Sequence, residues 1–256
     1  MNDDLLDLRK QRIIFQRMMK AETFANYWEY FDKFYCISLN ERSDRREDAR
    51  IQFAKMGLLD KVEFVIVKKH PYNSEQGIFE SHMSCIKKGI QAGAKNIVVF
   101  EDDILFERFS PAALKNCINF LSTNPHWNAL FFGCLVSSSK KTDNKSVLKV
   151  KYRSLAHAYV LNHKFAKSLV KIQWQGKAYD AILNNFTDTF YLIYPSFAFQ
   201  GNSRSDNSRY ARLDKFRRLF GGLRRIQKWN EFYHRYRMII ITLHIFMILL
   251  VLKWVF

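Results

Sequence analysis

Glu101, Asp102 and Asp103 stand in succession directly after residues 96–100 (NIVVF), a β-branched, apolar run that reads as a buried strand. Three carboxylates at such a strand end repel one another and lose solvation on folding. A divalent cation offsets both costs, and an all-oxygen ligand set suits Mg²⁺ or Mn²⁺. The same acids would equally serve as the cap and first turn of a helix over residues 104–108, so the triplet alone leaves the two readings level. A second cluster, residues 40–46 (NERSDRR), follows the apolar run 33–39 (KFYCISL). Arg42, Arg45 and Arg46 have the guanidinium forks that pair with phosphate, and Asp44 has the acceptor for a ribose or base. An ordinary charged helix start capped by Ser43 is the alternative. The chain has neither GxGxxG nor GxxxxGK[ST], so arginine and metal, rather than a glycine cradle, would have to hold phosphate.

The elements that must position these clusters alternate between strand and helix. Strand-like runs cover 33–39, 62–67, 96–100, 127–132, 155–161 and 189–194, the last ended by Pro195. Helical stretches run from the 40–46 cluster to about Lys55, then over 81–92, 111–121 and 165–172, with Gly57 and Gly93 as stops. This alternation predicts an α/β fold with a mostly parallel sheet, whose ligands bind beyond the carboxyl ends of the strands. The polar stretch 137–146 (SSSKKTDNKS) is expected to be a mobile loop.

At 256 residues, 48% hydrophobic and 16% aromatic, the chain can bury a full core and is not of the disordered class. Its four cysteines are far apart and form no C-x-x-C, against a zinc site or a disulfide scaffold. The net charge of +17 favours acidic partners. Eleven Lys/Arg against three acids fall in residues 204–237, interleaved with aromatic and aliphatic side chains from Phe216 to Tyr236 at mostly helical spacing, broken at Gly221-Gly222. Residues 238–256 (MIIITLHIFMILLVLKWVF) follow, long and apolar enough for a transmembrane helix with Lys253 and Trp254 at the interface. A basic stretch beside a span points to an anionic membrane rather than to specific nucleic acid, with the soluble domain on the cytoplasmic side. The acidic start of the chain does not read as a secretory signal.

Several motifs, in order, carry a family likeness: ISLNERSDRR, GIFESH, VVFEDDILFE, SLAHAYVLN, KAYDAIL and YPSFAFQGNSRSDNS. Together they span Phe34 to Ser208, and the stretch resembles glycosyltransferase family 25, which includes lipopolysaccharide galactosyl- and glucosyltransferases and collagen galactosyltransferases. Gly77 is followed by Ile78 where the family usually has Gly-Cys, and an Asp-Gly step often found after the second strand is missing. The resemblance implies a GT-A-like, Rossmann-type sheet flanked by helices, and inverting transfer of galactose or glucose from a UDP-sugar to a glycan or lipid-linked acceptor. It also implies Mn²⁺ or Mg²⁺ held by Asp103 with Asp102 or Glu101, and a nucleotide positioned by Arg42, Asp44 and Arg45. Asp180 would be the general base and His82 a further catalytic candidate, with Gln200, Ser205 and Asp206 closing over donor or acceptor. The expected organisation is a helical segment over 1–32, the transferase domain over 33–210, a membrane-surface segment over 211–237 and the apolar tail. An inactive membrane scaffold, a basic nucleic-acid binder and a metal-dependent phosphohydrolase are the competing readings.

Overall fold

The computed structural model describes residues 26–201 and 211–255. Strands β1 (Lys33–Leu39), β2 (Val62–Val67), β3 (Asn96–Glu101), β5 (Ala129–Phe131), β6 (Leu135–Lys141), β7 (Val147–Ser154), β8 (Ala158–Asn162) and β9 (Phe190–Ile193) form an eight-stranded sheet ordered β2-β1-β3-β8-β5-β9-β7-β6. Following the pairing across it, six strands share one direction and β8 and β7 oppose them. Two short strands, β4 (Ile104–Phe106) and β10 (Ala198–Gln200), pair antiparallel beside it. Helices α1 (Ser43–Lys55), α2 (Ser74–Gln91), α3 (Pro111–Thr123), α4 (His163–Leu169) and α5 (Tyr179–Leu183) flank the sheet, and α6 (Ala211–Leu219) and α7 (Gly222–Val255) follow. Trp28, in a short 3-10 turn ahead of β1, is buried and donates its indole N–H to Met56 O at 2.9 Å. Residues 1–25 of the expected N-terminal segment lie outside the described residues.

β3 shows why an unbroken apolar run becomes a central strand. Val98 and Phe100 enter one core with Phe53 of α1 and Leu114 and Leu121 of α3. Ile97 and Val99, pointing the other way, enter a second core with Phe79 and Ile86 of α2 and Phe165 of α4. Both faces are covered, so both phases of the strand must be apolar. The helices start where side-chain caps allow: Asn73 Oδ1 accepts from the N–H groups of Glu75 and Gln76, and Ser110 Oγ from that of Ala113, with Pro111 following.

The stretch read as a mobile loop is instead largely the β6–β7 hairpin, at the sheet edge. Its alternation is masked because an edge strand buries little and carries Lys140 and Lys141 outward, where lysine also blunts edge pairing. The expected break at Gly221-Gly222 is present, both glycines having positive φ. Beyond it one helix runs uninterrupted into the apolar stretch, and its first half packs on the domain.

Candidate active site

The parallel pairing of β1 and β3 sets Glu101 beside Ile37 at the carboxyl end of the sheet. Asp102 N–H donates to Ile37 O at 3.1 Å, the chain turns, and Ile104 pairs with Gln200 across β4 and β10. Residues 104–106 are therefore strand, which removes the helix-cap explanation of the acids. Gly201 N–H donates to Asp103 O at 2.7 Å, and a Cβ on Gly201 would lie 2.9 Å from that oxygen, so glycine permits the approach that delivers Gln200.

Arg45, from the first turn of α1, faces both aspartates: Nη1 is 3.2 Å from Asp102 Oδ1 and Nη2 3.6 Å from Asp103 Oδ2. Gln200 Nε2 donates to Asp103 Oδ2 at 2.9 Å. Burial pushes both carboxyl groups up from the usual range, and Arg45 pulls against it. Asp102 Oδ2, Asp103 Oδ1 and Gln200 Oε1 are buried without a hydrogen-bond partner among the described residues. Unpartnered hard oxygens on Asp102, Asp103 and Gln200 are of the ligand type that a Mg²⁺ or Mn²⁺ ion would take. Among the described residues no three His, Cys, Asp or Glu side chains converge as a self-sufficient metal cluster.

Glu101 turns elsewhere. Its Oε1 lies 3.4 Å from His82 Nε2, and His82 Nδ1 lies 2.9 Å from the Tyr159 hydroxyl. That hydroxyl is 2.9 Å from the Tyr179 hydroxyl, and the Tyr179 ring stacks on His82 at 4.1 Å. Burial lowers the His82 pKa to about 3, so the ring is neutral and its 3.4 Å approach to Glu101 is not an ion pair. Burial, then the charges of Asp103, Asp180 and Asp102, hold the Glu101 carboxyl well above its usual range.

Asp180 Oδ1 accepts from the Tyr152 hydroxyl and from Ala156 N–H at 3.3 Å, and Oδ2 accepts from Leu155 N–H at 3.1 Å. Burial raises its pKa and these bonds oppose the rise. Leu155 has φ +75°, a left-handed conformation costly for leucine, at the point where its N–H reaches Asp180. Glu101, Asp102, Asp103, Asp180 and His82 all line one cavity of about 470 Å³, together with Arg45 and Gln200.

Other sequence candidates fall outside this set. Arg42 makes a two-pronged contact with Asp44, both bonds 2.9 Å, which lowers the Asp44 carboxyl to about 2; neither lines the cavity. Arg46 donates to Leu39 O and Asn40 O and so fastens the end of β1. Ser205 and Asp206 lie outside the described residues. Sequence reasoning passed over Tyr152, Tyr159 and Tyr179, which fix His82 and Asp180, and Lys68, Lys69 and Arg217 on the cavity wall. Tyr159 and Tyr179 sit inside HAYVLN and KAYD, so motif position was the available signal.

The site is thus an α/β sheet with acids at its carboxyl rim, over a cavity of about 470 Å³. Residues 72–183, which hold His82, Glu101–Asp103 and Asp180, match the family described as Glycosyltransferase family 25 (LPS biosynthesis protein). A comparison with curated proteins gave no match. Among solved structures the chain is similar to A197 from STIV (10% identity, TM-score 0.44), covering 66% of this chain and 85% of that one. It is also similar to UDP-glucose pyrophosphorylase in its apo form (12%, TM-score 0.41, 73% and 80% covered). The same holds for a UDP-glucose pyrophosphorylase complexed with UDP-glucose (9%, TM-score 0.42, 80% and 86% covered).

Proposed function

We propose that the protein transfers a hexose, galactose or glucose, with inversion from a UDP-sugar to a glycan or lipid-linked acceptor at the cytoplasmic membrane face. The observation that supports this reading is the buried pair Asp102–Asp103, each facing Arg45 and each with one unpartnered oxygen, at the rim of a cavity within the stretch that matches family 25. Asp102 and Asp103 would hold Mn²⁺ or Mg²⁺, which when bound supplies positive charge for the departing diphosphate. Arg45 steers the pair and adds a second cation; Gln200 fixes Asp103 from the opposite strand. His82 positions Glu101, which lies at the cavity wall outside the metal set.

Asp180 is the proposed general base. A carboxylate has about four acceptor positions. Tyr152, Leu155 and Ala156 occupy three, which hold it ionised and aimed and leave one for an acceptor hydroxyl. The apolar half of α7, unburied along its length, supports a membrane span, and the basic residues before it support a cytoplasmic domain.

The test is donor hydrolysis and transfer with UDP-galactose and UDP-glucose, using the full chain in detergent. Asp103→Asn and Asp180→Asn should each abolish transfer, and chelation by EDTA should do the same to the wild type. Transfer that survives both Asp103→Asn and EDTA would refute the metal reading.

A further inference from the structure

Helix α7 begins at the cavity and ends in the apolar run. Gly222 and Leu223 line the cavity, and the helix continues unbroken to Val255. Its first half is fastened to the domain turn after turn. Lys228 donates to Glu107 at 2.6 Å, and Gln227, 1% exposed, donates Nε2 to Ala198 O at 2.7 Å. Asn230 brackets Val136, accepting from its N–H and donating to its carbonyl, both at 3.0 Å. Glu231 accepts from Arg108 at 3.0 Å, and Arg235 meets the Tyr194 hydroxyl. Gly133 permits the close seat, since a Cβ there would lie 1.8 Å from Ala198 O and 2.5 Å from Gln227 Nε2. From Ile241 to Trp254 every side chain is exposed.

With neither Gly nor Pro between Leu223 and Val255, α7 has no residue at which to kink sharply, so it cannot cross the bilayer with one half and lie among the headgroups with the other. We infer that α7 is a rigid stand-off that fixes the height of the cavity above the membrane, and that the acceptor is therefore a bilayer-anchored glycan long enough to reach that height. With the hydrocarbon edge at Met238, the helical rise places the Gly222 lip about 24 Å out. An average tilt of about 20° lowers this only slightly, and the headgroup layer takes up only about 5–7 Å of it. A hydroxyl at headgroup level would stay out of reach. The inference rests on the membrane-span and transferase readings above.

All four native cysteines are buried, so single exposed cysteines can be labelled selectively in the full-length protein. Fluorophores at Leu219→Cys, Trp229→Cys and Met238→Cys, in phosphatidylcholine–phosphatidylglycerol nanodiscs carrying a headgroup nitroxide, form a ruler. We expect strong quenching at 238, weaker quenching at 229 and none at 219. Quenching at 219 equal to that at 238 would overturn the stand-off; an unquenched label at 238 would instead overturn the span on which it depends. A two-turn helical insertion after Arg237, about 10 Å, should leave UDP-sugar hydrolysis intact while transfer to glycan in native membranes is lost. Undiminished transfer by that variant would refute the height requirement, and loss of hydrolysis in the uninserted protein would refute the transferase reading.

Discussion

Replacing Arg45 by methionine is the sharpest perturbation of the acidic rim, because it removes the guanidinium and keeps most of the stem. The attraction across 3.2 Å to Asp102 and 3.6 Å to Asp103 is about 5 kcal/mol apiece at an effective dielectric of about 20. Desolvation of the buried charges takes back much of this, and breaking a buried pair by removing one partner leaves a net loss of about 3–5 kcal/mol. The loss should depend on pH. Without Arg45, the folded-state pKa values of both aspartates rise further above the unfolded range, so the native state binds more protons than the unfolded one. The deficit should therefore be largest at neutral and alkaline pH and should fade as pH falls toward the unfolded carboxylate range. Mn²⁺ should restore part of it by supplying charge to the same oxygens. Urea denaturation of wild type and Arg45→Met at acid and neutral pH, with and without Mn²⁺, measures all three effects. A loss below about 1 kcal/mol, or one that grows as pH falls, would refute the reasoning.

Other predictions concern the groups behind the rim. Tyr152→Phe deletes a hydroxyl bonded to a buried carboxylate, and should cost about 1.5–3 kcal/mol. It should also raise the acid limb of the kcat–pH profile, because Asp180 loses a bond that favours its charged form; an unmoved limb would argue against Asp180 as base. His82 is neutral in the fold and has its pKa depressed to about 3, so it stabilises above its unfolded value near 6.5. That contribution is lost as pH falls from there toward 3, and His82→Gln should flatten this part of the stability–pH curve in calorimetry. Gly133→Ala drives a Cβ into Ala198 O, and should displace β10 and α7 at a cost of about 1–3 kcal/mol, read as a lowered Tm together with weaker UDP binding.

The strands were legible where burial forces a pattern. NIVVF and KFYCISL lie in the middle of the sheet with both faces covered, and their acidic and basic endings do mark the carboxyl rim. β6 was not legible, because SSSKK belongs to an edge strand with little apolar face to show. The periodicity predicts a start of α2 at Ser81, whereas the helix begins at Ser74, where Asn73 supplies a cap that hydrophobic periodicity does not register. Residue type singled out Arg45, Asp102 and Asp103, which the fold brings together, but could not tell Arg45 from Arg42 and Arg46, whose guanidinium groups are turned to Asp44 and to the end of β1. Nor could spacing show that Glu101 turns to a buried histidine while its two neighbours turn to Arg45; successive side chains at a strand end point to different sides. The docking of α7 runs through polar and charged residues, among them Gln227, Lys228, Asn230 and Glu231, which look like solvated positions in a basic stretch.

The pairing of Asp102 and Asp103 around a divalent ion is tested most directly by Mn²⁺ titration of the full-length protein, followed by electron paramagnetic resonance with and without UDP. Bound Mn²⁺ should appear in the wild type, tighten when UDP is added, vanish in Asp102→Asn and Asp103→Asn, and persist in Glu101→Gln. Mn²⁺ that fails to bind with UDP present, or that is lost in Glu101→Gln but kept in Asp103→Asn, would contradict the account.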